Sequence, residues 1–144
     1  MIEIGRAMKR IHLAFRRNGD KMLEKYGLTM PQMSLMLFLF RKADAGERVI
    51  QRDIEEALNL KTSTVSGTLD RLEKNGFICR VSEPDNRRVH RIEMTEKAFG
   101  MKEEGKKDIR EFEENLLSPL SGEEQAKLQE MLQRILENLP QDAK

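Results

Sequence analysis

Residues 61–95 read KTSTVSGTLDRLEKNGFICRVSEPDNRRVHRIEMT. From Thr62 to about Asn75, Val65, Leu69 and Leu72 fall four and three residues apart, which is one inner face of a helix. Gly76 stops it. Phe77–Ser82 and Val89–Met94 read as two strands, because Val89, Arg91 and Glu93 alternate with His90, Ile92 and Met94 at a period of two. Between them, Glu83-Pro84-Asp85-Asn86 is turn chemistry: Pro84 has no N–H to extend a ladder, and Asn86 tolerates unusual dihedrals.

Working outward, Val49–Leu58 reads as a short helix with Ile50, Ile54 and Leu58 facing inward, and Asn59-Leu60-Lys61 is a tight connection. Two short helices joined by so brief a turn form a helix-turn-helix pattern. Before it, Thr29-Met30-Pro31-Gln32 is a capping box with Pro in the first turn, opening a helix whose run SLMLFLF is apolar nearly all round and reads as buried. Ala43–Glu47 reads as a loop. Residues 2–25 form an amphipathic helix on Ile4, Met8, Ile11, Phe15 and Met22, weakened at Asn18-Gly19 and ended at Tyr26-Gly27. Thr95 caps a long helix running to about Leu117, with Ile109, Phe112 and Leu116 on one face; Ser118-Pro119-Leu120 breaks it. Ser121-Gly122-Glu123-Glu124 is a second capping box, and Leu128, Met131, Leu132, Ile135, Leu136 and Leu139 stripe the last helix before Pro140.

The expected fold is mainly α with a small β-hairpin wing: a winged helix-turn-helix lobe over residues 29–95, with a dimerisation helix over 1–28 and dimerisation helices over 96–144. The terminal helices carry more apolar surface than one small domain can cover, so a second copy of the chain is expected to bury it. The residues assigned to that interface are Ile4, Met8, Ile11, Ile109, Phe112, Leu116, Leu128, Met131, Leu132, Ile135 and Leu136. A monomeric bundle is the competing reading.

Charge is distributed unevenly behind a net value of +1: residues 1–42 sum to +6, 43–60 to −3, 61–97 to +2 and 98–144 to −4. The total argues for no partner, so the placement of individual arginines has to carry the argument. No apolar run spans a bilayer and the first residues, MIEIGRAMKR, lack a secretory signal's apolar stretch, so the cytoplasm is expected and no membrane partner. Cys79 is the only cysteine, which excludes an intramolecular disulfide. Gly-rich phosphate loops, nucleophile motifs and CxxC or HExxH spacings are absent, the many glutamates fall on helix faces, and the chain is read as a non-enzyme without cofactor or metal.

Double-stranded DNA is the partner these elements suit. Thr62, Ser63, Thr64, Ser66, Gly67 and Thr68 are small and mostly hydroxylated, which lets a helix start approach a groove floor, and Arg71 one turn on reaches a phosphate. Thr62 or Ser63 is also expected to cap the helix. Arg87 and Arg88 project from the hairpin tip, where an arginine entering a minor groove gains from its enhanced negative potential. Arg80 and Asp85 complete the expected DNA-binding set, Asp85 by orienting an arginine, either Arg80 or Arg87, through a paired hydrogen bond. A dimeric adaptor that binds protein through the same winged helix is the alternative, and the tip arginines speak against it.

The stretches Tyr26-Gly27-Leu28-Thr29, STVSGTLDRLEKNGFICR, PDNRR, MTEKA and SGEEQAKLQEML together resemble the MarR family of winged helix-turn-helix transcriptional regulators nearly end to end. The resemblance implies a symmetric homodimer on a pseudo-palindrome with half-sites about 34–36 Å apart. It implies a regulator, in most members a repressor, often released by a small aromatic effector bound between the dimer helices and the DNA-binding lobe. Here that pocket would be lined by His12, Phe15, Met30, Met33 and Phe38, though plain core packing is the commoner role for such residues. The sequence departs from the family where Met94 replaces Leu and Ala98 replaces Gly at the hairpin exit. Oxidant sensing through an N-terminal cysteine and zinc sensing are not expected, since Cys79 lies in the wing and His12 and His90 fall on separate elements.

Overall fold

A computed structural model describes residues 1–140, which form six helices and one two-stranded antiparallel sheet. Two compact units divide the chain, one spanning Met1–Lys107 and the other beginning at Asp108.

In the first unit, α1 (Ile4–Tyr26) runs unbroken through Asn18-Gly19. It ends because Gly27 adopts φ 65°, a left-handed conformation that L side chains rarely take; this lets Leu28 N donate to Leu23 O at 2.9 Å and buries both leucines. Thr29 caps α2 (Met30–Asp44) by the expected box: Gln32 N donates to Thr29 Oγ1 at 3.4 Å and Thr29 N to Gln32 Oε1 at 3.0 Å. Five apolar side chains of α2 are buried, but Leu37 is 48% exposed. A seven-residue run sweeps almost two turns at 3.6 residues per turn, so part of it must turn outward. The helix also persists to Asp44, which shortens the expected loop.

Helix α3 (Gln51–Leu58) starts two residues later than expected. Val49 and Ile50 instead lie along the sheet: Ile92 N donates to Val49 O at 2.8 Å, and Ile50 bridges Arg91. Asp53 Oδ2 accepts from Ile50 N at 2.9 Å, closing the helix start. Asn59, at φ 50°, makes the turn into α4 (Thr62–Lys74). Lys61 occupies the N-cap of α4 and no side chain caps it, so neither Thr62 nor Ser63 has the capping role expected of one of them. Gly76, at φ 79°, leads into β1 (Ile78–Glu83), which pairs with β2 (Asn86–Met94). Both strands run closer to the tip than expected. Helix α5 (Glu96–Leu117) begins at Thr95, whose hydroxyl donates to Gly76 O at 2.6 Å and accepts from Ala98 N at 3.4 Å.

The core of this unit joins Leu35 and Met36 of α2, Ile54 of α3, Val65, Leu69 and Leu72 of α4, Phe77, Ile78 and Met101, each 2% exposed or less. Replacing one such leucine by alanine costs about 2–5 kcal/mol. The first turns of α5 lie against the end of α1. Gly105 faces Met22 at this approach: a Cβ there would stand 2.7 Å from Met22 Sδ, so the end of that flexible side chain would have to shift to admit one. Lys25 and the Tyr26 hydroxyl both donate to Glu104 and hold its carboxyl below the usual glutamate range.

The second unit holds the end of α5 and helix α6 (Gly122–Glu137). Ser121 and Glu124 form the expected box, with Ser121 N to Glu124 Oε2 at 2.8 Å and Glu124 N to Ser121 Oγ at 3.3 Å. Gln125 Nε2 donates to Leu117 O and Leu120 O at 3.2 and 3.0 Å, fixing the turn between the helices. No residue of α6 is buried.

Candidate nucleic-acid interface

The inner face of α4 is spent on the core, so its remaining faces are polar by necessity. Thr62, Ser63, Thr64 and Arg71 are exposed, and Ser66, Gly67 and Thr68 are half-buried. Thr68 Oγ1 donates to Thr64 O at 2.9 Å, so its proton is used within the helix and its lone pairs face outward. Ser63, Thr64, Gly67, Thr68 and Arg71 line a groove whose other wall is Thr29, Pro31 and Gln32 at the start of α2. The involvement of the α2 start was not foreseen, because it depends on how two helices distant in sequence meet.

The hairpin ends in an irregular tip. Ser82 pairs with His90 while Glu83 pairs with Asn86, so Arg87, Arg88 and Val89 have no partners across the ladder. Such an excursion bends a strand and re-aims its side chains. Asn86 Oδ1 accepts from Arg88 N at 3.1 Å and steadies it. Asp85, Arg87 and Arg88 are exposed. Among the described residues, the side chains of Arg87 and Arg88 have no hydrogen bond or ion pair, so both guanidinium groups are available to a ligand.

Arg80 differs from them. Its Nη1 stands 2.7 Å from Asp70 Oδ1 and 3.4 Å from Glu73 Oε1, and its Nη2 donates to Ser66 O at 3.4 Å. The partner expected for it as one of two options was Asp85; Asp70 and Glu73 hold it instead. The physical reason is that β1 packs along α4, which brings the acids of α4 closer to Arg80 than the tip. Asp85 likewise holds no arginine among the described residues.

The residues expected around an effector are spread over several environments. Phe38 is 6% exposed within the core, Met33 packs against that core, Phe15 is half-buried on α1, His12 is exposed and Met30 is 53% exposed. Cys79 is exposed. Among the described residues, no three His, Cys, Asp or Glu side chains group as a metal site would require, and no helix is long and apolar enough to cross a membrane.

The residues assigned to a dimer interface are among the most exposed apolar groups of the molecule. On α1, Ile4, Met8 and Ile11 are 73%, 40% and 45% exposed. On α5, Ile109 and Leu116 are exposed and Phe112 is half-buried; on α6, Met131, Leu132, Ile135 and Leu136 are exposed and Leu128 is half-buried.

The model of the MarR family matches residues 28–90. The HTH-type transcriptional regulator PecS of Dickeya dadantii (strain 3937) is 31% identical over 139 residues, covering 96% of this chain and 82% of PecS. The HTH-type transcriptional regulator MhqR of Bacillus subtilis (strain 168) is 26% identical over 128 residues, covering 89% of this chain and 86% of MhqR. Among solved structures, a variant of S. aureus MepR bound to an oligodeoxyribonucleotide superposes with a TM-score of 0.81 at 26% identity, covering 97% of this chain and all of that one. A crystal structure of an S. aureus MepR–DNA complex gives 0.77 at 26% identity, covering 92% and 96%.

Proposed function

This chain belongs to the MarR family, and we propose from that premise that it is a transcriptional regulator that binds double-stranded DNA as a homodimer. Helix α4 enters the major groove with Thr62, Ser63, Thr64, Ser66, Gly67 and Thr68 nearest the bases, and Arg71 meets a phosphate. Arg87 and Arg88 enter the adjoining minor groove. The apolar faces of α1, the end of α5 and α6 pair about a two-fold axis, so two such lobes meet a pseudo-palindromic site. The dimerisation region comprises residues 1–28 and 96–144, and the DNA-binding lobe residues 29–95. Repression in the cytoplasm, relieved by a small aromatic ligand, is the mode that fits the family.

One observation carries the reading: a hydroxyl-rich, exposed helix face stands beside a hairpin whose tip presents two unpaired arginines. The relatives named as transcriptional regulators and the neighbours bound to DNA support it. The test is fluorescence anisotropy with duplexes selected from a random pool, repeated across a salt series. Arg71, Arg87 and Arg88 from each of two protomers give about six cations that offset backbone charge and release counterions, hence a log–log slope of about −5. A protein with no affinity for duplex at any salt is not the regulator proposed.

A further inference from the structure

We propose that Asp70, Glu73 and Arg80 form a clasp that sets where the wing stands relative to the recognition helix, and that Arg80 is a positioning residue rather than a contact to DNA. The inference rests on the reading of α4 and the hairpin as DNA-binding elements.

The geometry begins in the ladder. Arg80 faces Ile92 across the two strands. Alternate pairs of an antiparallel ladder turn their amides away from each other. Ile92 is such a residue: its N–H leaves the hairpin to reach Val49 O. Arg80 N therefore points off the opposite edge, where the described residues place no third strand. Glu73 Oε2 accepts it there at 3.0 Å. One carboxylate of α4 thus replaces a strand at the edge of β1.

The same carboxylate takes the side chain. Glu73 Oε1 lies 3.4 Å from Arg80 Nη1, Asp70 Oδ1 lies 2.7 Å from it, and Ser66 O accepts from Nη2 at 3.4 Å. Positions 66, 70 and 73 are four and three apart, so they make one stripe on α4 facing β1. The Arg80 side chain is only 20% exposed and two carboxylates flank its guanidinium. A phosphate would need the same Nη atoms and would meet two negative charges. Arg87 and Arg88, exposed and unpaired, have neither obstacle.

What the clasp controls is the aim of the tip. Asp85 lies five positions beyond Arg80, a lever of at most about 16 Å at strand rise. A tilt of about 10° at Arg80 would shift the tip by about 3 Å, half the width of a minor groove. Two elements that must enter neighbouring grooves at once tolerate little of that.

The test uses the full chain with Arg80→Met, Arg80→Lys and Asp70→Asn. In the free protein, amide exchange of residues 79–90 should rise about tenfold in both Arg80 variants, with the urea midpoint close to that of the parent. On a selected duplex, both should lose about tenfold in affinity, because a lysine keeps the charge but not the fork. Their salt slope should stay that of the parent. Asp70→Asn should also bind the duplex more weakly, although it removes a negative charge near DNA. Unchanged exchange overturns the clasp. Full rescue by lysine, a slope reduced by about two per dimer, or tighter binding by Asp70→Asn makes Arg80 a phosphate contact and overturns the positioning role. If the parent itself binds no duplex, the proposed function falls, while the exchange measurement still decides the clasp.

Discussion

Truncating Leu132 should weaken the dimer without disturbing the helix that carries it. Leu132 is 41% exposed on a helix with no buried residue, and Met131, Ile135 and Leu136 beside it are 44%, 45% and 54% exposed. Complete burial of a leucine side chain is worth about 2.5 kcal/mol. Covering the exposed two-fifths in a dimer therefore contributes about 1 kcal/mol per protomer. A two-fold axis presents each substitution twice, so Leu132→Ala should cost about 2 kcal/mol per dimer. At 1.4 kcal/mol per decade, the dimer dissociation constant rises about thirtyfold. Sedimentation equilibrium over a dilution series reads that shift, and far-UV circular dichroism reports whether the helix survives. Glu130→Ala, on the opposite face of α6, is the control and should leave the constant unchanged. A Leu132→Ala shift below about threefold with intact helicity would refute the assignment of this stripe to the interface, since it corresponds to less than about 0.7 kcal/mol.

Arg87→Ala should weaken duplex binding by about 1–3 kcal/mol per contact and lower the salt slope by about two per dimer, while sedimentation shows the dimer unaltered; anisotropy across a salt series checks both. Glu104→Gln removes the carboxylate that Lys25 and Tyr26 hold, so the parent should be the more stable protein at neutral pH. The sign follows from a folded-state pKa lowered from its ordinary 4.5: the advantage is complete above that value and disappears as pH falls through the folded-state value below it, which urea titrations at several pH values would follow. Gly27→Ala should lower stability by about 1 kcal/mol, because φ 65° places a Cβ in the left-handed region; a fall in thermal midpoint of several degrees is the expected reading.

Much of the fold was legible along the chain. The stripes of α1 and α6, the boxes Thr29/Gln32 and Ser121/Glu124, the stop at Gly27 and the turn at Pro84-Asp85 all appear where local pattern places them. Each depends on groups within about four residues of one another, a range over which spacing alone dictates which atoms meet. The candidate interface was legible to the same degree: the polar start of α4 and the arginine tip are composition set on a recognisable scaffold.

The remainder was decided by packing. Val49 lies along the outer edge of β2, where its carbonyl accepts from Ile92 N, although its sequence reads as a helix start. Lys61 rather than a hydroxyl residue heads α4, since the turn at Asn59 sets where the helical dihedrals begin. Arg80 looks in sequence like one more basic residue of the wing. Its partners lie seven, ten and fourteen residues away on another element, and only the seating of β1 on α4 brings them together. Sequence spacing settles what neighbours along a chain can do. The shared surface between elements settles which of the many exposed charges are already satisfied and which are left free to act.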